Sequence, residues 1–480
     1  MAGRDTVTEA GAIVAGEECA TGEWLESGDP WTNETIGRCA VSNWEQCDRA
    51  LEAAINAWES PPPLPDRVRA AVRAADLIAD RQAELTDLLM RETGKPTQMA
   101  LGEVQRLERT FRLASESANE LDDRPLDLSF DPRGSGVAGS WRRFAAGPVM
   151  AFVPYNWPLN LAAHKLAPAL IAGCPVLLKV SPLAPLCSFA LGRLLLDAGV
   201  APAFLSVMHL SDELAQRVLK DDRVKTLSFT GSARVGWMLK EMVPTKRVAL
   251  ELGGNAPVIV EPDADLERMA DLTALSGYAY AGQVCISAQN VFVHEAVYKE
   301  AHAQLAHATE ATRTGDPRTD GVVCGPLINE GAAQKVRDRI GNAVRDGARV
   351  VATAHAEEHP KLARPTLVEE VPRDQELFCE EVFGPVLTLT RYKSLVDLMA
   401  QLNRGRYRLH ASIFTASRET ADLAFTTLRY GGVIHNDSPS IRFDNMPYGG
   451  EGLSGFGREG VRFALLEMTT PRALLHRGDL

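Results

Sequence analysis

Residues 148–182 read PVMAFVPYNWPLNLAAHKLAPALIAGCPVLLKVSP, and this stretch decides the fold. Two short apolar runs, at 149–153 and 176–180, flank a helical pattern at 161–172. A short, continuous apolar run bounded by turn residues is typical of a strand that is buried on both faces. The stretch therefore predicts one strand–helix–strand unit of a parallel sheet.

The alternation of apolar runs and helical patterns continues to residue 253. Further strands are predicted at 204–208, 226–229 and 248–250, with helices at 186–198, 212–220 and 233–242. A parallel sheet with helices on both faces is a doubly wound α/β domain. Its ligands bind where strands end and loops lead into helices, which here selects the loops 154–158, 179–182 and 230–232.

Helices precede this domain, and a second α/β region follows it. Residues 66–93 predict one helix that ends at Gly94-Lys95-Pro96, and a second helix follows. Within residues 254–450 strands are predicted at 291–293, 349–352 and 386–390. The segment 468–475 predicts a final strand, and because an exposed final strand needs a partner, it is a candidate to reach a neighbouring subunit.

Length, charge and cysteine usage exclude several classes of protein. A chain of 480 residues is expected to form two or three domains, and its net charge of −12 argues against nucleic acid and anionic membrane partners. The uncharged stretch at 144–164 is interrupted by prolines, and the N-terminus lacks a signal-peptide pattern, so we expect a cytoplasmic protein with no membrane partner. The eight cysteines form no CxxC pair, and no metal site is predicted.

Cys285 stands out among the cysteines because of its setting. It ends the segment Gly282-Gln283-Val284-Cys285, and Glu251 lies 34 residues before it, where an apolar strand meets Gly253-Gly254. For a lone cysteine, a buried structural role is the more common one. A carboxylate at a strand end is poorly placed as a solvated charge, however, and it can activate a water or a thiol if the fold brings it near Cys285.

Seven motifs, in order along the chain, resemble those of the NAD(P)-dependent aldehyde dehydrogenase superfamily. They are Pro154-Tyr155-Asn156-Trp157-Pro158, Gly173-Cys174-Pro175 with Lys179, Phe229-Thr230-Gly231-Ser232, Glu251-Leu252-Gly253-Gly254, Gly282-Gln283-Val284-Cys285, Glu380-Glu381-Val382-Phe383-Gly384-Pro385 and Gly457-Arg458-Glu459. The resemblance covers residue 66 to the C-terminus. Within the superfamily it is similar in particular to the lactaldehyde, non-phosphorylating glyceraldehyde-phosphate and phosphonoacetaldehyde dehydrogenases.

The resemblance implies an α/β aldehyde dehydrogenase fold with three parts. A doubly wound cofactor-binding domain is expected to comprise residues 1–123 and 147–253, and the α/β catalytic domain residues 254–450. A small β-extension for oligomerisation is expected at 124–146 and 465–480, with residues 137–146 forming the hairpin that complements the final strand. A homodimer or homotetramer is implied.

The resemblance also implies a mechanism. Cys285 attacks the aldehyde carbon as a thiolate, and the Asn156 amide and the Cys285 N–H hold the resulting oxyanion. Hydride leaves to the nicotinamide, and Glu251 activates the water that hydrolyses the thioester to the acid. Lys165 and Glu459 match positions proposed to relay protons. A turn role for Asn156 and a helix-surface role for Lys165 are the alternatives.

The implied cofactor is NAD or NADP, bound without a GxGxxG fingerprint. The pyrophosphate is expected near the helix that opens at Ser232, the adenosine ribose at Lys179, and the nicotinamide at Glu381 and Phe383. The remaining cofactor-binding residues that the resemblance implies are Pro154, Tyr155, Ser181, Pro182, Thr230, Gly231, Leu252 and Gly253. Pro182 replaces a glutamate that binds the NAD ribose and repels the NADP phosphate, so either cofactor is admissible.

The substrate is expected to be an aldehyde, small and polar or anionic. Trp157, Asn160 and His164 lie on the loop and helix after Asn156, and Asn160 and His164 make this face polar. Arg106 and Arg442 are candidates to meet an anionic group, although surface roles stay open for both. Val284 stands where some phosphonate-oxidising relatives carry an arginine.

Two other classes of function remain open from the sequence. An acyl-transferring cysteine enzyme would use Cys285 without reducing a nicotinamide, which absorbance on mixing with aldehyde distinguishes. A catalytically silent scaffold protein would be expected to lose part of the catalytic set, whereas Cys285, Glu251 and Asn156 are all present.

Overall fold

The computed structural model describes residues 8–477. Residues 1–7 of the predicted cofactor-binding domain and residues 478–480 of the predicted oligomerisation extension lie outside the described residues. Two large sheets organise the chain, and we call them the first sheet and the second sheet. The predicted α/β fold is confirmed. In residues 8–477 no helix is long and apolar enough to cross a membrane, and no cluster of His, Cys, Asp or Glu is arranged to hold a metal ion.

The first sheet has eight strands with a parallel centre. Their order is Gly455–Phe456, Arg247–Glu251, Thr226–Thr230, Val149–Phe152, Val176–Lys179, Leu205–Met208, Ala12–Val14 and Glu17–Cys19. The five central strands are parallel, as predicted, whereas the outer strands at both sides run antiparallel. Chain segments from both ends therefore complete this sheet. The domain boundaries predicted from sequence left residues 451–464 unassigned, whereas Gly455–Phe456 form an outer strand of this sheet.

Helices cover both faces of the first sheet, as its buried, mainly apolar central strands require. They are Trp44–Glu59, Leu64–Asp80, Gln82–Thr93, Thr97–Glu116, Asn160–Ala172, Pro185–Asp197, Asp212–Lys220, Ala233–Met242 and Val461–Glu467. The single helix predicted at 66–93 is wrong, because the chain leaves helical geometry at Arg81 (φ −99°, ψ 18°). Arg81 pairs with Asp197 at 3.0 Å, which ties this break to the neighbouring helix.

The second sheet has seven strands and carries the other half of the molecule. Their order is Arg349–Thr353, Thr366–Glu369, Val386–Tyr392, Ala288–His294, Ala256–Val260, His410–Phe414 and Gly432–His435. Its helices are Leu266–Tyr278, Tyr298–Glu310, Glu330–Arg345, Glu376–Cys379, Leu395–Leu402 and Arg418–Thr427. The strands Ala256–Val260 and His410–Phe414 are buried at every position, so they lack the alternation that marks a strand in sequence.

Three smaller sheets complete the structure. Thr8–Ala10, Thr35–Ala40 and Trp24–Gly28 form one, and Tyr407–Arg408 pairs with Glu451–Gly452. The third, which we call the tail sheet, contains Arg124–Leu126, Val137–Ala145 and Thr469–Arg477. The predicted final strand lies antiparallel to Val137–Ala145 over its whole length and forms one edge of the tail sheet.

Candidate active site

A pair of glycines brings the end of the first sheet against the loop that carries Cys285. Glu251 is the last residue of the strand Arg247–Glu251, and Gly253-Gly254 follow it. A Cβ at Gly254 would lie within 3.0 Å of the Cys285 carbonyl oxygen. Because a larger residue would separate the two segments, glycine here fixes Cys285 beside the strand that ends at Glu251.

Cys285 follows a strained turn and is half-buried. Tyr280 and Ala281 adopt the left-handed conformation, with φ of 53° and 54°, which is costly for residues other than glycine. The Cys285 sulfur lies 3.0 Å from the hydroxyl of Tyr448. Burial raises the pKa of the Cys285 thiol to about 11, and the hydrogen bond with Tyr448 acts in the opposite direction.

Asn156 reaches the same place from the first sheet. It lies just after the strand Val149–Phe152, is buried, and donates from Nδ2 to the carbonyl oxygen of Gln283 at 2.8 Å. Tyr155 donates to the Gln283 side chain at 3.2 Å. The structure therefore brings the predicted oxyanion donor Asn156 to the Cys285 loop, held by a glutamine to which the sequence analysis gave no role.

The Glu251 carboxylate is buried, and within residues 8–477 neither of its oxygens has a hydrogen-bond partner. Burial and the charge of Glu459 raise the pKa of Glu251 well above its usual value. Oxygen Oε1 lies 3.1 Å from the position that a Cβ of Gly449 would take. A carboxyl group with a raised pKa is better suited to take up a proton than an exposed one.

Lys165 and Glu459, which the resemblance pairs as a proton relay, lie together behind Glu251. The Lys165 ammonium is 3.3 Å from Glu459 Oε1, and Lys165 is buried, so the alternative of a surface lysine is wrong. Burial alone would raise the pKa of Glu459, but Lys165 and Arg442 lower it. A cavity of about 20 Å³, room for about one water, is lined by Glu251, Lys165 and Glu459 among other residues.

A larger concavity of about 350 Å³, which we call the cofactor pocket, opens at the carboxyl ends of the central strands. Lys179, Ser181, Pro182 and Thr230, four of the residues predicted to bind the cofactor, line it. Arg234 and Asp212, which the sequence analysis did not select, line it as well, and Lys179 Nζ lies 3.9 Å from Asp212. Burial lowers the pKa of Lys179.

The residues predicted to bind the pyrophosphate also lie at this edge. Ser232 precedes the helix Ala233–Met242 without a capping hydrogen bond from its side chain, which leaves N–H groups of the first turn open to an anion. Gly231 N donates to the Glu251 carbonyl at 3.0 Å, Leu252 N donates to the Ser454 carbonyl at 3.0 Å, and Pro154 is half-buried. The Thr230 hydroxyl is buried and has no partner in the described part of the chain.

Glu381 and Phe383 approach the site from the second half of the molecule. Gly254 N donates to Glu381 Oε1 at 3.1 Å, and a Cβ at Gly253 would clash with the same carboxylate. Burial raises the pKa of Glu381 to about 7. Phe383 adopts a left-handed backbone (φ 54°) and its ring packs edge-on against Tyr155 at 6.2 Å. Strain of this kind is commonly retained at functional sites.

The predicted substrate residues are joined by an acid that the sequence analysis missed. Asp444 accepts from Arg106 at 2.6 and 3.2 Å, from Asn160 at 3.2 Å, and from His164 Nε2 at 2.9 Å. We call Arg106, Asn160, His164 and Asp444 the substrate cluster. Burial opposes ionisation of Asp444, but hydrogen bonds from His164 and Arg106 hold its pKa far below the usual range.

The two remaining substrate candidates flank this cluster. Trp157 is half-buried, and the Arg106 guanidinium lies 5.5 Å from its ring centre. Arg442 is buried, pairs with Glu459 at 2.9 Å and stacks 3.7 Å over the ring of Tyr448. Both arginines are therefore paired with carboxylates of the protein and are not free surface charges.

Comparison with known proteins agrees with this geometry. The sequence pattern of the aldehyde dehydrogenase family matches residues 17–474. The 3-sulfolactaldehyde dehydrogenase of Priestia aryabhattai is 32% identical over 470 residues, 98% of each chain. The crystal structure of aldehyde dehydrogenase 21 from Physcomitrella patens, in complex with the reaction product succinate, has a TM-score of 0.93 at 33% identity and covers 98% of this chain and 99% of that chain.

A second solved structure extends the likeness to a cofactor complex. The NADP-dependent glyceraldehyde-3-phosphate dehydrogenase from Bacillus halodurans C-125, complexed with NADP, has a TM-score of 0.94 at 29% identity and covers 98% of this chain and 99% of that chain. Proteins that match this chain over this length and at this identity share more with it than the fold. The matched region includes the motifs around Cys285. The chain belongs to the aldehyde dehydrogenase family.

Proposed function

We propose that this aldehyde dehydrogenase oxidises a small polar aldehyde to its carboxylic acid through a thiohemiacetal and a thioester on Cys285. The observation that carries the proposal is the meeting of Cys285 and Asn156 at Gln283, beside the strand that ends at Glu251. A nucleophile, an amide donor and an unpaired carboxyl group are the three parts that oxidation followed by hydrolysis needs.

The first step is attack of the Cys285 thiolate on the aldehyde carbon, which moves the carbonyl electron pair onto oxygen. The Asn156 amide has two N–H groups, and its hydrogen bond to the Gln283 carbonyl uses one and fixes the plane of the amide. The second N–H and the backbone N–H of Cys285 are the donors proposed for the oxyanion. Donors fixed in advance stabilise the charge without reorganising as it develops.

The last step is hydrolysis of the thioester, which we assign to Glu251. A carboxyl group whose pKa is raised by burial is a stronger base than an exposed one, and turnover should increase with pH as Glu251 becomes ionised. The cavity it shares with Lys165 and Glu459 has room for a water, which supports transfer of the proton toward that buried pair.

The residues present fit a nicotinamide dinucleotide. The buried Thr230 hydroxyl without a partner, the uncapped first turn after Ser232, and the close approach of Gly253 to Glu381 are features that a dinucleotide would use. When bound, the nicotinamide accepts the hydride. Lys179 and Ser181 would hold the adenosine ribose, and Glu381 the nicotinamide ribose, with Phe383 against the ring. Either NAD or NADP suits a pocket in which Pro182 replaces the discriminating glutamate, and the Bacillus halodurans relative was solved with NADP.

The substrate cluster supports a polar aldehyde. Asn160, His164 and Arg106 all direct polar groups to one buried acid, and Trp157 packs beside Arg106. The names of the relatives agree, since one is a 3-sulfolactaldehyde dehydrogenase and one structure holds succinate. We propose that Trp157, Asn160, His164, Arg106 and Arg442 surround the polar end of the substrate.

We also propose that the chain is divided, as the sequence suggested, into a cofactor-binding domain, a catalytic domain and an oligomerisation extension. Residues 451–456 are added to the cofactor-binding domain. The unpaired edge of Thr469–Arg477, which exposes Leu474 and Leu475, suits pairing with a second copy in a homodimer or homotetramer. A monomer in sedimentation at micromolar concentration would contradict this assembly.

The proposed reaction is tested by substituting Cys285 and Glu251, because the two residues are assigned to different steps. Cys285→Ala should abolish reduction of the nicotinamide by aldehyde, whereas Cys379→Ala, which alters another half-buried cysteine, should leave turnover within twofold. Glu251→Gln should keep a rapid first turnover of reduced cofactor and then stall, because only hydrolysis needs the base. If Cys285→Ala kept a tenth of wild-type turnover, Cys285 would not be the nucleophile. If Glu251→Gln lost the rapid first turnover, Glu251 would act in an earlier step.

A further inference from the structure

We propose that the hydroxyl of Tyr448 is a catalytic group that donates a hydrogen bond to the Cys285 thiolate and fixes the sulfur for attack. The proposal deepens the function proposed above and rests on Cys285 being the nucleophile. It begins from a contact to the reacting atom itself, since the Tyr448 oxygen lies 3.0 Å from the Cys285 sulfur.

The surroundings of Tyr448 hold its hydroxyl in this position. The side chain is buried, the His410 ring meets the phenol ring edge-on at 5.3 Å, and the Arg442 guanidinium lies 3.7 Å over its face. Its backbone exchanges hydrogen bonds with Glu459, at 3.0 and 2.6 Å. A ring that is packed on two sides and fixed at its backbone has little freedom to move its oxygen away from the sulfur.

The chemistry of the contact identifies which atom donates. While Cys285 is a neutral thiol, either group can donate; once the thiol proton has left to solvent, only the Tyr448 O–H has a hydrogen to offer. A hydrogen bond to a charged acceptor is stronger than one between neutral groups, so the contact favours the thiolate. Tyr448 keeps its own proton throughout, and the electron pair that forms the S–C bond comes from sulfur alone.

Burial disfavours the thiolate, and a donor at the sulfur opposes this effect. The Cys285 sulfur lies where burial raises the thiol pKa to about 11, and the Tyr448 hydrogen bond and the Arg442 charge both oppose that rise. Arg442 acts on the thiol by its positive charge, and by stacking on the Tyr448 ring at 3.7 Å it also holds the phenol in place. Phenylalanine would fill the same space and pack equally well, so the hydroxyl oxygen is the part of this side chain that serves the reaction.

The experiment compares two tyrosine-to-phenylalanine variants. Tyr448→Phe removes the proposed donor, and Tyr278→Phe removes a hydroxyl that is equally buried but bonds to Thr309 at 2.9 Å. The first readout is the rate of Cys285 alkylation by iodoacetamide as a function of pH, after subtraction of the rate in Cys285→Ala. The second is the pH profile of kcat/KM for the aldehyde.

Tyr448→Phe should shift the alkylation profile upward by about one pH unit and lower the alkylation rate near neutral pH about tenfold, as expected for the loss of a charged hydrogen bond. The kcat/KM should fall by a similar factor with its rise moved to higher pH, while KM for the cofactor stays within twofold. Tyr278→Phe should stay within twofold in every readout. An unshifted alkylation profile in Tyr448→Phe would overturn the proposal.

Two further results separate the possible failures. If Tyr448→Phe does not fold, 3-fluorotyrosine at position 448 keeps the shape and makes the phenol a stronger donor, so the alkylation profile should move to lower pH; no movement would contradict the proposal. If Cys285→Ala keeps its activity, the proposed function itself is wrong. If Cys285→Ala is inactive and Tyr448→Phe is normal in both readouts, only the role of Tyr448 is wrong.

Discussion

The substrate cluster and the cofactor pocket handle charge in opposite ways. In the substrate cluster Arg106 is paired with Asp444, and Asn160 and His164 donate to the same carboxylate. In the cofactor pocket Lys179 is 3.9 Å from an exposed carboxylate, and Arg234 lies at the solvent-exposed start of a helix. One region is a hydrogen-bond network centred on one buried acid, and the other combines a weakly paired lysine with an exposed arginine.

The difference shows what each region is suited to bind. Paired charges fix the orientation of side chains but add little net charge, so the substrate cluster is suited to select shape and polarity. A weakly paired lysine, an exposed arginine and unpaired backbone N–H groups attract an anionic ligand, which suits a dinucleotide with two or three phosphates. Substitutions that disturb one of the two regions at a time test this difference, and we expect the largest effect in the substrate cluster.

Asp444→Asn should disturb the substrate cluster most. Its side chain is only 6% exposed, so loss of the charge should lower the free energy of unfolding by about 2–3 kcal/mol, measured by denaturant titration. Arg106 would then be uncompensated, and kcat/KM for succinic semialdehyde relative to butanal should rise about tenfold, or about 1.4 kcal/mol. Because the pKa of Asp444 is held low, this stabilisation is present at neutral pH and lost only in strong acid.

A matched control breaks an exposed pair of the same kind. Asp422 pairs with Arg418 at 2.9 Å on a helix surface, and Asp422→Asn should change the free energy of unfolding by less than about 0.5 kcal/mol. If Asp444→Asn behaved like this control in stability and kept the substrate ratio unchanged, the substrate cluster would not be the fixed network described here.

Pro182→Glu should sharpen the cofactor pocket toward NAD. A glutamate at this position would accept hydrogen bonds from the ribose and repel a 2′-phosphate, and such bonds contribute ~1.5–3 kcal/mol. The ratio of kcat/KM for NAD to that for NADP should therefore rise about tenfold or more. Leu183→Glu, one residue further along the same exposed loop, should leave the ratio within twofold. An active Pro182→Glu variant with an unchanged ratio would show that selectivity is set elsewhere.

Arg234→Gln should give the smallest effect. Arg234 lines the cofactor pocket but is exposed, so solvent screening should limit its contribution to NADP binding to about 1 kcal/mol or less. We expect the Kd of NADP to rise about threefold, with a smaller change for NAD, by titration calorimetry. Lys220→Gln removes the same charge from the end of the neighbouring helix and should change neither Kd. Equal loss for both cofactors would place Arg234 at the shared phosphates.

Much of the first sheet could be predicted because its signals are local. The helices Asp212–Lys220 and Ala233–Met242 have the predicted bounds, and the first begins after Ser211, whose side chain accepts from Leu214 N. The five central strands differ from the predicted ones by no more than one residue at either end. The break at Arg81 was missed because the helices on its two sides continue each other in sequence, with no glycine or proline at the junction.

In the candidate site, too, residues in local motifs could be predicted, whereas residues placed by long-range contacts could not. Cys285, Asn156 and Glu251 lie in compact motifs that a reader of the sequence can find, and their roles remain proposals. Asp444 was missed because its partners Asn160 and Arg106 are about 280 and 340 residues away, with no local pattern around it. Tyr448 could have been noticed in the sequence, because a pair of glycines, Gly449-Gly450, follows it, as Gly253-Gly254 follow Glu251 and Leu252. Its contact with Cys285 is visible only in the fold.

The pairing of Gly455–Phe456 with the strand that ends at Glu251 has a consequence for synthesis of the protein. Until residues 455–456 leave the ribosome, about 200 residues after Glu251, the outer edge of that strand has no partner. At a typical rate of 5–20 residues per second this delay lasts roughly 10–40 s, and an open strand edge invites pairing between chains. We therefore expect the nascent chain to be open to such pairing during that interval, and a truncation before residue 455 should aggregate even though every strand of the central parallel sheet is present.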